Sequence, residues 1–212
     1  MDSFSSHRHA ANSVSLVPIR TAVLVVDMSN DFCVDGGLMV LPGAERLYAP
    51  QRAVMEAARS TGGVVVYVCD SHRHGMRRER EFVKRTPHCW ADTWGAAVVD
   101  AIAPQPDDHI VLKRRYSGFF QTDLDLTLKD LEIDTVVVMG VVTNICVRST
   151  VHDAFFLGYS VVVPEDCVAA TGPREQESSL YDIGTHFGVV SNSAAIVAAL
   201  TSGLPVANEV DG

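Results

Sequence analysis

Three residues of catalytic type each stand at or just past the end of a short aliphatic run: Asp27 after Ala22 to Val26, Lys113 after Ile110 to Leu112, and Cys146 soon after Val136 to Met139. A carboxylate, an ammonium and a thiol are the parts of a nucleophilic cysteine site, in which the acid takes the thiol proton and the cation steadies the resulting charge. They meet only if the three runs are neighbouring strands. In an open parallel α/β sheet the carboxyl ends of the strands face one crevice, so side chains distant in sequence converge there.

Each residue also has a plainer reading. Cys146 sits in GVVTNICVRSTVHDAFFLG, where a strand ends at Gly140 and a helix opens with Val147, Val151, Ala154 and Phe155 at helical spacing. A thiol at a helix N-terminus is expected to have its pKa drawn below the free value of about 8.5, whereas a structural cysteine would simply be buried. Asp27 follows four aliphatic residues, where an ionised carboxylate needs a partner, although it could instead cap the turn that starts at Met28. Lys113 opens a basic run with Arg114 and Arg115. Strand alternation predicts Lys113 and Arg115 on one face and Arg114 on the other.

The elements needed to position these residues are legible. Strands are expected at Ala22 to Val26, Val64 to Val68, Ile110 to Leu112, Thr135 to Met139, Ser160 to Val163 and Val189 to Val190, as Val- and Ile-rich runs covered on both faces. Helices are expected at Tyr48 to Thr61, Trp94 to Ile102, Asp123 to Leu131, Cys146 to Leu157 and Glu175 to His186, with Gly62 and Gly158 as stops. This alternation predicts a three-layer α/β/α sandwich around a mostly parallel, doubly wound, Rossmann-like sheet of about six strands. Residues 1–16, rich in Ser, His and Asn and including His7 and His9, are expected to form a disordered or loosely docked tail, and residues 17–212 a single domain.

Composition narrows the partners. The 212 residues carry 17 basic and 26 acidic side chains, a net charge of -9, which argues against nucleic acid or an anionic membrane as the principal partner. The cysteines number five, an odd count without framework spacing, so a reducing, cytoplasmic setting is expected. No apolar run approaches a membrane span.

The segment YVCDSHRHGMRREREFVKRTPHCW holds a second group of chemical interest: Asp70 and His72, alternating off a strand end, then Glu81 and His88. Oxygen and imidazole ligands suit Zn, Mn or Fe. His74 is a competing ligand, and an acidic, histidine-rich loop that is merely solvated is the alternative.

Together VVDMSNDF at 25–32, LKRRYSGF at 112–119 and GVVTNICV at 140–147 resemble the isochorismatase-like cysteine hydrolases, and the Asp70 segment resembles the metal site of their nicotinamidase-like branch. The resemblance runs from about Arg20 to Leu200. It implies an Asp27, Lys113, Cys146 triad, a non-proline cis peptide between Val141 and Val142, and an oxyanion hole made by the backbone N–H groups of Val142 and Cys146. It also implies a divalent metal on Asp70, His72, Glu81 and His88, no organic cofactor, and a homo-oligomer, either dimer or tetramer. Isochorismatases proper lack the cysteine, so Cys146 points to the amide-hydrolysing branch.

The resemblance implies cleavage of a small amide to acid and ammonia through a thioester, with nicotinamide as the first candidate. A ureido acid, biuret, maleamate or a lactam is the alternative; isochorismate-type ether hydrolysis and a non-catalytic thiol sensor are more distant. Phe32, Trp90 and Tyr116 are expected to offer stacking surfaces in the pocket. Arg85 stands where nicotinamidases carry an aromatic residue, and a guanidinium there suits a carboxylate-bearing substrate. Ser29, where the family favours Gln, is a second departure.

Overall fold

Aliphatic runs with no polar alternation must be covered on both faces, and the two central strands are: all six residues of β2 (Thr21–Val26) and all seven of β5 (Thr135–Val141) are buried. The computed structural model describes residues 13–210; residues 1–12, with His7 and His9, and 211–212 lie outside the described residues. Around the two central strands a parallel sheet forms: β3 (Val64–Asp70) and then β4 (His109–Lys113) extend it beyond β2, β6 (Ser160–Pro164) and then β8 (Val189–Ser191) beyond β5, and the short β7 (Val168–Ala169) pairs off β5 to make seven strands.

The chain runs outward from β2 through β3 to β4, then returns to β5 on the other side of β2. Strand order therefore reverses between β2 and β5, which is where such sheets open a crevice at their carboxyl ends. Register levels the ends: Asp70 lies opposite Lys113 and Val26 opposite Gly140.

Helices flank the sheet. Before the first long one comes a single turn, α1 (Asn30–Cys33). Next, α2 (Tyr48–Thr61) ends where Gly62 takes a left-handed conformation and donates to the carbonyls of Ala58 and Arg59. The remaining helices are α3 (Leu124–Asp130), α4 (Arg148–Phe156), α5 (Pro173–Asp182) and α6 (Ser193–Ser202). The last of these was not expected from sequence; its start is marked by Asn192, whose side chain accepts from the N–H of Ala195 at 2.9 Å. Among the described residues no helix is long and apolar enough to cross a membrane.

Three expectations are corrected. Trp94 to Ile102 is not a helix but two isolated 3-10 turns, because Val98 bridges to Ser29 and the N–H of Val99 donates to Met28, drawing the intervening chain into an extended form. The helix expected from Cys146 begins with one wide π turn over Thr143–Val147, and α4 follows from Arg148. Its Val147, Val151 and Ala154 are buried as the spacing predicts, while Phe155 is exposed. Within the expected tail, Ser13 and Val14 form β1, antiparallel to β9 (Val206–Ala207).

Between the two central strands, Gly140 leaves no room for a side chain. Its φ is 122°, and a Cβ there would fall onto the backbone carbonyl of Val26. Gly140→Ala is therefore expected to cost more than about 3 kcal/mol. Gly158→Ala, at φ 93° with open space around it, should cost about 1–2 kcal/mol. Denaturant melts of the two variants check the ranking, and equal losses would contradict it.

Candidate active site

The three strand-end residues converge. Asp27 leaves β2 with a φ of 54°, its N–H still bound to the carbonyl of Val68 at 3.0 Å, so its carboxylate turns across the end of β3. Oδ1 accepts from the backbone N–H of Asp70 at 2.8 Å, and Oδ2 lies 2.8 Å from Lys113 Nζ. Lys113, the last residue of β4, also places Nζ 3.4 Å from Asp70 Oδ1 and 3.9 Å from Cys146 Sγ. All four side chains are buried. The peptide between Val141 and Val142 is cis, as the resemblance implied.

Burial and charge oppose one another here. Burial pushes the Asp27 carboxyl above its ordinary range, and Lys113 pulls it back only in part. For Lys113, burial disfavours the charge, but Asp27 and Asp70 outweigh it and hold the ammonium on. Burial would raise Asp70, but Lys113, the bond to His88 and the nearby His72 outweigh it and hold the carboxyl well below the usual carboxylate range. The expectation of a low thiol pKa at Cys146 is corrected: burial pushes it up, Lys113 opposes this, and the facing Asp27 adds to the rise. Burial thus favours the thiol form of Cys146, with the Asp27 carboxyl beside it.

Beside this centre Asp70, His72, Glu81 and His88 are all buried and each brings one ligand atom to within 4.8 Å of the others. His72 Nε2 lies 3.3 Å from Asp70 Oδ2 and 3.9 Å from Glu81 Oε2, and His88 Nε2 lies 3.2 Å from Asp70 Oδ2. Both nitrogens of His72 and both carboxylate oxygens of Glu81 are buried without a hydrogen-bond partner. Converging, unsatisfied oxygen and imidazole donors fit a divalent cation, which would satisfy them together. The competing His74 is elsewhere, exposed and stacked on Trp90 with ring centroids 4.9 Å apart.

The cluster has outer partners, as metal ligands commonly do. His88 Nδ1 lies 2.6 Å from the carbonyl of Thr86, which leaves Nε2 to face the cluster. His72 Nδ1 lies 3.5 Å from Glu79, a buried carboxylate that sequence reasoning missed. Arg114 and Arg115 both grip Glu79, each at 2.7 Å, so the expected alternation of the basic run is corrected: the strand ends at Lys113 and both guanidiniums turn to one acid. Only the neighbouring Glu81 in an alternating Arg-Glu-Arg-Glu stretch hinted at it.

A cavity of about 430 Å³ opens on the thiol. Asp27, Cys146, Val142, Phe32, Arg85 and Tyr116 line it, together with Asp70, Glu81 and His88. Trp90 does not; it is held away by His74 on one face and by Phe82, whose ring centroid lies 5.1 Å away. Sequence reasoning also missed Met39 to Pro42, Ile145 and Thr171 in the wall, residues with no chemical signature of their own.

A family model described as the isochorismatase domain matches residues 21–195. The chain is similar to the ureidoacrylate amidohydrolase RutB of Rhizobium rhizogenes, at 32% identity, with 91% of this chain and 88% of the relative covered. Among solved structures it resembles the N-carbamoylsarcosine amidase of Thermoplasma acidophilum, at 36% identity and a TM-score of 0.71, covering 82% of this chain and 96% of the other. It also resembles the nicotinamidase/pyrazinamidase PncA of Bacillus subtilis, at 26% identity and a TM-score of 0.76, covering 82% and 100%.

Glu81 supplies a pH test of the cluster. Its carboxyl is pushed up to about 7, first by burial and then by the charge of Asp70. Below that pH a proton occupies the oxygen that a cation needs, and above it the carboxylate is free. Affinity of chelator-stripped protein for Zn, Mn or Fe should therefore rise steeply from pH 6 to 7 and flatten above 8, and His72→Ala should bind at least about tenfold more weakly. Titration calorimetry checks both, and a pH-independent affinity would contradict the assignment.

Proposed function

This chain belongs to the isochorismatase family, and we propose that it is a cysteine amidohydrolase that splits the C–N bond of a small, carboxylate-bearing amide of the ureido or carbamoyl acid class. The observation that carries this reading is Arg85. It shares the cavity wall with the Cys146 thiol and has, among the described residues, no carboxylate partner. A guanidinium so placed offers paired donors to a substrate carboxylate. The relatives named for ureido and carbamoyl substrates support the same class.

In this mechanism Asp27, raised by burial and facing the thiol, accepts the Cys146 proton as sulfur adds to the substrate carbonyl. Lys113, at 3.9 Å, opposes the charge on sulfur during attack. The backbone N–H groups of Val142 and Cys146 receive the oxyanion. Asp27 then delivers the proton to the leaving nitrogen, the C–N bond breaks, and the acyl or carbamoyl group remains on sulfur. Water adds to that carbon, Asp27 takes its proton, and the C–S bond breaks to restore the thiol. A divalent cation on Asp70, His72, Glu81 and His88 would supply Lewis acidity at the edge of the cavity.

A second reading, nicotinamide hydrolysis, is favoured by the completeness of that four-residue cluster and by the presence of Phe32 and Tyr116 in the wall, where they could stack on a pyridine ring.

Ammonia release from N-carbamoyl amino acids and from nicotinamide, each with and without added Zn, Mn or Fe, separates the readings; turnover of nicotinamide alone would contradict the first. Cys146→Ala should abolish turnover with the fold intact. Arg85→Ala should raise KM for the carbamoyl acid by about 10- to 100-fold, the worth of a charge-assisted hydrogen bond, with little change in kcat.

A further inference from the structure

The chain as a whole carries a net charge of -9, yet residues 73–85 hold six cations (Arg73, Arg77, Arg78, Arg80, Lys84 and Arg85) against two acids, Glu79 and Glu81. All six cations are exposed, and among the described residues none is engaged in an ion pair; Glu79 is occupied by Arg114 and Arg115 instead. A run of like charges on an exposed loop repels itself, so nothing in the fold's own stability calls for it.

Its placement is informative. The loop is anchored at the cavity by the short turn Glu81–Val83, in which Glu81 lines the wall and the Phe82 ring lies 4.6 Å from that of His72 and 5.3 Å from that of His88. Arg80 and Lys84 bracket this turn, and Arg85 follows into the cavity wall.

We infer that the 73–85 loop is a cationic collar that draws anionic substrate to the cavity and rejects cationic analogues, with Arg80 and Lys84 setting the potential at its mouth. This deepens the carboxylate-bearing substrate class proposed above and rests on it. A cationic patch beside a cleft on an otherwise acidic surface steers anions toward it, and its effect lies in the rate of capture and not in the chemical step.

Two alkylating probes of similar size test the collar without a substrate: iodoacetate, an anion, and iodoacetamide, which is neutral. Each forms an S–C bond at Cys146 as iodide leaves and the thiol proton goes to solvent. Rates are read on the Cys146 peptide by mass spectrometry, using the full chain. The iodoacetate to iodoacetamide ratio should fall by about threefold or more between about 0.01 and 0.15 M salt, as the Debye length shrinks from about 30 to about 8 Å.

At low salt the Arg80→Gln/Lys84→Gln double variant should show a ratio lowered by a similar factor with an unchanged iodoacetamide rate, and Arg80→Lys should keep the wild-type ratio. Arg77→Gln/Arg78→Gln gives an independent reduction of the collar's charge should the first pair disturb the turn. A ratio indifferent to salt and to both double variants would overturn the collar, even in an enzyme that turns over carbamoyl acids. A salt-dependent ratio in a protein that hydrolyses no carbamoyl acid would instead overturn the proposed function and leave the collar standing.

Discussion

A single buried ammonium holds this site together. Lys113 is 1% exposed and lies within ion-pair distance of both Asp27 and Asp70, each also 1% exposed. Two carboxylates side by side in a sheet interior would otherwise repel one another and bind protons. Removing one member of such a group leaves an uncompensated charge and typically costs about 3–5 kcal/mol. The register of the sheet follows from this need: β3 and β4 must end level so that Asp70 and Lys113 face one another, and β2 must end beside them so that Asp27 can turn across.

Asp70 belongs to two sites at once. One oxygen faces Lys113 and the other faces His72 and His88, so the surroundings of Cys146 and the Asp70, His72, Glu81 and His88 cluster share a carboxylate. A second bridge is longer. Arg114 and Arg115 follow Lys113 directly, grip Glu79, and through it reach His72. The strand that supplies the ammonium thus also braces the loop that supplies the cluster. Buried polar groups left unpaired, as in Glu81 and His72, lower stability, and they are concentrated where chemistry is expected.

Much of this is legible in the residues alone. Asp27, Lys113 and Cys146 each terminate or follow an aliphatic run, and strand-end convergence is a property of parallel sheets, so their meeting is predictable. The ligand spacing of Asp70, His72, Glu81 and His88 was legible through a resemblance, since its segment has no regular periodicity. What escaped was set by tertiary pairing. Trp94 to Ile102 reads as helical until Ser29 and Met28 recruit its backbone, and Trp90 reads as a pocket aromatic until His74 stacks on it. Glu79 had no signal beyond its charge, because its role depends on where the strand bearing Arg114 and Arg115 stops.

In the proposed reaction Cys146, facing Asp27 and steadied by Lys113, carries the substrate's acyl or carbamoyl group through a covalent intermediate. Acid-quenched turnover of an N-carbamoyl amino acid, followed by peptide mass spectrometry, tests it directly. A carbonyl-derived adduct on the Cys146 peptide is expected, decaying as product accumulates, with the other four cysteines unmodified. Steady product release with no adduct on Cys146 at any quench time, and undiminished in Cys146→Ala, would contradict it.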